Sequence, residues 1–134
     1  TGVIYVASLS YYDQKMFEDE TTNRMKDSVY LFRDICANPA FAETPIILFL
    51  NKRDLFQKKI RDVRIGGEGC FRDYDGPPND YAAGVDYFLR YFLKQNRDPD
   101  RKVFHHVTCA TDTANVQVVM DSTRAMIIQD SLNF

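Results

Sequence analysis

Four polar residues follow an apolar run near the middle of the chain, and they are the first candidates for chemistry. Asn51-Lys52-Arg53-Asp54 come directly after Ile46–Leu50. The run is short, rich in branched side chains and without a polar face, which favours a central parallel strand covered on both sides. Because open α/β sheets bind ligands at the carboxyl ends of their strands, the sequence predicts a ligand site at this tetrad.

The side chains of the tetrad suit guanine. The Asp54 carboxylate only accepts hydrogen bonds, and guanine offers two adjacent donors, N1–H and the exocyclic amine. Each such charge-assisted bond contributes roughly 1.5–3 kcal/mol, and adenine has neither donor in that arrangement. Asn51 can donate to the base and connect neighbouring loops, while the Lys52 stem can lie along the purine face. Arg53 is expected to point away. The alternative is an ordinary polar turn after a strand.

A second polar segment, Thr108-Cys109-Ala110-Thr111, follows another strand-like run at Lys102–Val107. It also stands at the carboxyl end of a predicted strand and leads toward a predicted helix. Two parallel strands present their carboxyl ends at the same edge of a sheet, so the two segments are expected to lie side by side.

With both segments in place, the chain resembles the α subunits of heterotrimeric G proteins. In that family one strand ends in Asn-Lys-x-Asp with Leu-Phe next, as Leu55-Phe56 stand here. The next strand ends in Thr-Cys-Ala-Thr followed by Asp-Thr-x-Asn, matched by residues 112–115. The likeness extends to Tyr12-Asp13-Gln14 and covers essentially the whole chain.

The resemblance implies which residues bind guanine. These are Asn51, Lys52, Asp54, Cys109, Ala110 and Thr111. The backbone N–H of Ala110 is expected to donate to the guanine O6, Cys109 to pack against the base, and the Thr111 hydroxyl to support the loop. No residue of this chain is assigned a catalytic or metal-binding role.

The resemblance further implies that residues 1–134 are the C-terminal part of a Ras-like GTPase domain, without its P-loop, switch regions or helical domain. The sequence contains no Gly-x-x-x-x-Gly-Lys-Ser/Thr and no Asp-x-x-Gly-Gln motif. The glycine cluster at 66–69 lacks the terminal Lys-Ser/Thr of a phosphate loop. GTP or GDP is the expected cofactor, with Mg²⁺ held by residues outside this chain. Hydrolysis is therefore assigned to no residue here.

By the same resemblance, the expected partners are a βγ dimer, a G-protein-coupled receptor and effector enzymes, at the cytosolic face of the plasma membrane. The missing N-terminal half, a second copy of the chain or another protein is expected to cover the first strand. The alternative is a non-catalytic interaction module that presents the helix Asp19–Cys36 and the terminal helix to partners. The net charge of −2 gives no general case for nucleic acid binding.

Composition agrees with one domain in a reducing compartment. The chain has 134 residues, enough for a core. Its three cysteines, Cys36, Cys70 and Cys109, form neither a disulfide framework nor a metal-ligand pattern, which fits a reducing compartment. No apolar run of membrane-spanning length is present. His105 and His106 are adjacent in a predicted strand, so they are expected to face opposite sides and not to share a metal.

The elements that position these residues predict an α/β fold, and the resemblance implies a three-layer P-loop GTPase (Ras-like) fold, of which this chain forms the C-terminal half. Three parallel strands are joined by right-handed crossovers, and the first strand has one bare edge. Apolar residues at helical spacing predict flanking helices. The predicted strands are Val3–Ser8, Ile46–Leu50 and Lys102–Val107, and the predicted helices are Asp19–Cys36, Gln57–Val63, Tyr81–Gln95 and Asp112–Asp130.

Overall fold

The computed structural model describes residues 2–16, 21–66, 71–109, 121 and 124. This part of the chain contains three strands, three α-helices and two short 3₁₀ helices, and the second and third α-helices follow each other between the last two strands. The strands are β1 (Val3–Ser8), β2 (Ile46–Asn51) and β3 (Val103–Val107); the α-helices are α1 (Arg24–Ala37), α2 (Arg53–Lys59) and α3 (Tyr81–Leu93); the 3₁₀ helices are Leu9–Asp13 and Pro39–Phe41.

The three strands form one parallel sheet in the order β1-β2-β3. The register aligns Val3 with Ile46 and Ile46 with Val103. β2 is central, and its first five residues are buried, as an apolar run with no polar face requires. The predicted α/β class, the parallel direction and all three strands are confirmed.

Helices α1 and α3 begin at side-chain caps. The Asn23 side chain accepts a hydrogen bond from Lys26 N–H at 3.1 Å, and Asp80 accepts from Ala83 N–H at 3.0 Å. Because Asn23 is the cap, α1 starts at Arg24, later than the predicted Asp19. It ends before Asn38-Pro39, as expected from the restriction that proline places on the preceding residue.

The prediction of a helix at Gln57–Val63 is wrong in its position, because α2 spans Arg53–Lys59. Lys52 adopts a left-handed conformation with φ 58° and ψ 41°, which turns the chain from strand into helix at once. The N–H of Phe56 then bonds to the Lys52 carbonyl at 3.1 Å. The tetrad itself therefore opens the helix.

The core lies against one face of the sheet and includes residues of α1, α2 and α3. Four phenylalanines are fully buried there, and Phe32 packs edge-on against Phe92 with ring centroids 5.7 Å apart. In α1 the apolar residues at helical spacing include Met25 and Val29, which are buried, and Cys36, which is half-buried. Gly84 lets α3 approach α2, since a Cβ there would lie 2.9 Å from the Phe56 Cζ. The four buried phenylalanines are Phe32, Phe56, Phe88 and Phe92.

The other face of the sheet is less covered at β1. Ile4 and Val6 are 47% and 57% exposed, and β1 is the edge strand of the described sheet. The expected bare edge is therefore present in the described part of the chain. On β3, His106 packs against Phe49 while His105 is exposed, and burial together with the nearby His105 lowers the pKa of His106.

Two predictions concern residues that lie wholly or mostly outside the described ranges. The terminal helix at Asp112–Asp130 is represented there only by Asp121 and Arg124, both helical. The cluster at 66–69 is represented by Gly66, whose φ of 86° favours glycine. No helix in the described ranges is long and apolar enough to cross a bilayer.

Candidate guanine-binding site

The carboxyl ends of β2 and β3 meet and bring the two polar segments together. The Thr108 N–H donates to the Leu50 carbonyl at 2.8 Å, and the Arg53 N–H donates to the Thr108 carbonyl at 3.1 Å. These backbone bonds extend the ladder past the last paired residues of the two strands. The expected juxtaposition of the tetrad with Thr108 and Cys109 is thus present in the structure.

Asn51 connects the two segments through its side chain. Its Oδ1 accepts hydrogen bonds from the Lys52 N–H at 2.8 Å and from the Thr108 hydroxyl at 3.2 Å. Thr108 is buried, so its hydroxyl needs a protein partner. The connection between neighbouring loops expected of Asn51 is observed.

Lys52 holds the turn in a conformation that few residues adopt. Left-handed backbone at a non-glycine residue costs of order 1–3 kcal/mol and tends to occur where function requires it. Here it directs the chain from the end of β2 into the first turn of α2, which contains Asp54. The strain thereby places the Asp54 carboxylate at the edge of the sheet.

The Asp54 carboxylate carries an unpaired oxygen. Its Oδ1 is enclosed, with no hydrogen-bond partner among the described residues. Buried acceptors are nearly always paired in proteins, so this oxygen stands out among the polar atoms of the described residues. Arg53 is exposed on the helix surface. A carboxylate side chain therefore lies where the ends of β2 and β3 meet.

The remaining predicted site residues are only partly described. Cys109 directly follows Thr108 and is half-buried, so it is placed beside the tetrad. Ala110 and Thr111 lie outside the described residues, and their roles stay predictions.

Asn51→Ala is expected to lower the free energy of unfolding by about 1–3 kcal/mol, because the buried Thr108 hydroxyl would lose its acceptor. Urea denaturation followed by circular dichroism measures the change. The double variant Asn51→Ala/Thr108→Val removes both partners and should lose less than the sum of the two single changes. Strictly additive losses would contradict this connecting role.

Sequence reasoning missed the residues that hold α2 in place. The Lys59 ammonium bonds to the Asp13 carboxylate at 2.9 Å and to the Ser10 carbonyl at 3.1 Å. The Tyr12 hydroxyl donates to the Val63 carbonyl at 2.6 Å, and burial raises the pKa of Tyr12. In the sequence, the only signal for these contacts was the family resemblance at Tyr12-Asp13-Gln14, and that resemblance did not assign the three residues a structural role.

Comparison with known proteins agrees with the motifs. The family model of the G-protein alpha subunit matches residues 1–127. Over 132 residues the chain is 43% identical to the guanine nucleotide-binding protein G(o) subunit alpha of Caenorhabditis elegans. That match covers 98% of this chain and 36% of the relative, so the chain spans about a third of that protein's length. The chain therefore belongs to the G-protein α subunit family.

Proposed function

We propose that this chain is the guanine-nucleotide-binding part of a heterotrimeric G protein α subunit. The observation that carries the proposal is that Asp54 lies in the first turn of α2, at the edge where β2 and β3 end and where Asn51 contacts Thr108. A carboxylate there selects a base with two adjacent N–H donors, and among the purines of common nucleotides guanine has that pattern.

The family resemblance supplies the other roles. The Lys52 stem covers one face of the purine, while Asn51 donates to the base from its amide nitrogen and keeps the two loops together through Oδ1. Cys109 packs against the base, and the backbone N–H of Ala110 donates to the guanine O6. The Thr111 hydroxyl supports that loop.

Family membership supports a wider proposal for the parent protein. It is a GTP/GDP switch that couples receptors to effectors, binds a βγ dimer and works at the cytosolic face of the plasma membrane. The phosphates and Mg²⁺ are held by residues outside this chain, which supplies base recognition. The residues described here are assigned no part in hydrolysis.

Nucleotide selectivity tests the base assignment. GDP is expected to bind more tightly than IDP, and IDP more tightly than ADP. Hypoxanthine lacks the exocyclic amine and loses one charge-assisted bond, so IDP should bind roughly 10- to 100-fold more weakly than GDP. Isothermal titration of the three diphosphates measures the order, and the shared ribose and diphosphate serve as the internal control. Equal affinity for GDP and ADP would disprove a guanine site.

A second candidate is a non-catalytic interaction module. The observation in its favour is the outer surface of α1, where Tyr30 and Leu31 are 44% and 52% exposed. A pure module would bind its partner equally well with or without nucleotide, and Asp54→Asn would leave that binding unchanged. A partner affinity that depends on added GDP would favour the first proposal.

A further inference from the structure

A cleft separate from the candidate guanine site opens between α3 and the turn that precedes it. Its volume is about 270 Å³, which is small for a whole cofactor and suits one long side chain. Three tyrosines line it, with Tyr74 and Tyr87 ring centroids 5.1 Å apart and Tyr87 and Tyr91 centroids 5.9 Å apart. All three rings are half-buried, so they form a fixed wall that solvent still reaches.

The hydroxyl protons of two of these tyrosines already have acceptors. Tyr87 donates to the Asp73 carboxylate at 2.5 Å, and Tyr74 donates to the Pro77 carbonyl at 2.5 Å. Burial, together with the hydrogen bond to Asp73, raises the pKa of Tyr87, so that hydroxyl stays protonated. What these two residues can still offer a ligand is ring surface and oxygen lone pairs.

The charges of the cleft favour a cation. Three carboxylates line it against two basic side chains, and one of those, Arg90, is paired with Asp86 at 3.0 Å. The Asp73 carboxylate accepts the hydrogen bond from Tyr87, and Asp75 lies exposed on the same turn. The faces of aromatic rings attract cations, most often guanidinium groups. A carboxylate can also accept two parallel hydrogen bonds from a planar guanidinium group.

We propose that this cleft, built from Asp73, Tyr74, Asp75, Tyr87 and Tyr91, binds the side chain of an arginine presented by a partner protein. The guanidinium stacks on the tyrosine wall and donates to the carboxylates of the turn, while its aliphatic stem leaves toward solvent. The site is independent of the proposed guanine site, because its residues lie on α3 and residues 73–76 and none belongs to the tetrad.

Aromatic proton–carbon NMR of the chain tests the proposal with N-acetyl-arginine amide as the probe. The signals of Tyr74, Tyr87 and Tyr91 should shift in a saturable way, with a dissociation constant on the order of 1 mM for so small a ligand. N-acetyl-citrulline amide has the same shape without the charge, and it should produce no saturable shift. Saturation by citrulline with equal affinity would overturn the proposal.

Two variants and a control locate the site. Asp75→Asn should weaken binding of the probe about threefold or more, whereas Asp34→Asn, an equal charge change on exposed α1, should leave it unchanged. Gly76→Ala should also weaken binding, because the added Cβ would lie 2.7 Å from the Tyr74 hydroxyl and displace that ring. Unchanged affinity in both cleft variants would disprove the assignment. So would saturation of the tyrosine signals by inorganic phosphate, because Arg90 and Lys94 would then define an anion site.

Discussion

Asp54→Asn is expected to reverse the base preference of the site. The variant replaces an acceptor with an amide whose NH₂ meets the donor edge of guanine, so both charge-assisted bonds are lost. Two bonds of roughly 1.5–3 kcal/mol each predict a loss of GDP affinity of about 100-fold or more. Xanthine carries a carbonyl where guanine carries its amine, so xanthosine diphosphate should bind the variant better than GDP does.

The ratio of GDP to xanthosine diphosphate affinities is the quantity to measure, by competition titration. The ribose and the phosphates are the same in both ligands, so the ratio reports the base alone. Asp62→Asn changes an exposed carboxylate that follows α2 and should leave the ratio as in the wild type. The Asp54→Asn variant is also expected to fold normally, because Asp54 Oδ1 has no hydrogen-bond partner among the described residues. If Asp54→Asn held GDP as tightly as the wild type, the role given to Asp54 would be wrong.

The strands and the edge where the two motifs meet could be predicted from the sequence because they depend on local pattern. Ile46–Leu50 has no polar face, so it belongs in the middle of a parallel sheet, and its carboxyl end is then a ligand edge. The positions of Asn51 and Thr108 follow from the ends of neighbouring strands. Their direct contact at 3.2 Å agrees with that reasoning.

The start of α2 could not be predicted because it depends on a long-range contact. Lysine has no general preference for left-handed backbone, and helical spacing alone favoured a start at Gln57. The bond from the Arg53 N–H to the Thr108 carbonyl joins residues far apart in sequence and is consistent with the turn at Lys52. The unpaired oxygen of Asp54 is likewise a property of the folded surroundings, which residue type does not encode.

The cleft beside α3 illustrates the same limit. Helical spacing predicted the helix at Tyr81–Gln95, in which Phe88 and Phe92 are fully buried while Tyr87 and Tyr91 line the cleft. It could not show that the Tyr87 hydroxyl bonds to Asp73, because that contact needs the loop to fold back on the helix. Periodicity identifies which side of a helix is buried, whereas the chemistry of the other side depends on what the loops bring to it.

Phe56→Ala is expected to have the largest effect on stability, at about 3–5 kcal/mol. Phe56 is fully buried, and its ring packs edge-on against Tyr12 and Phe88 with centroids 5.3 Å and 6.0 Å away. It stands in the same helix as Asp54, so its loss should also loosen the carboxylate and reduce the preference for GDP over ADP. Thermal unfolding and nucleotide titration measure the two effects on one sample.

Leu55→Ala is the matched control, since Leu55 is the adjacent residue of α2 but is 46% exposed. Its loss should change the free energy of unfolding by no more than about 0.5 kcal/mol. If both variants lost similar stability, the packing of α2 against Tyr12 and Phe88 would not be what holds the helix. If Phe56→Ala were strongly destabilised yet kept full guanine selectivity, Asp54 would be positioned by Lys52 and the Arg53–Thr108 bond alone. The two variants thus distinguish the contribution of core packing to the stability of α2 from the contribution of the turn at Lys52 to the position of the Asp54 carboxylate.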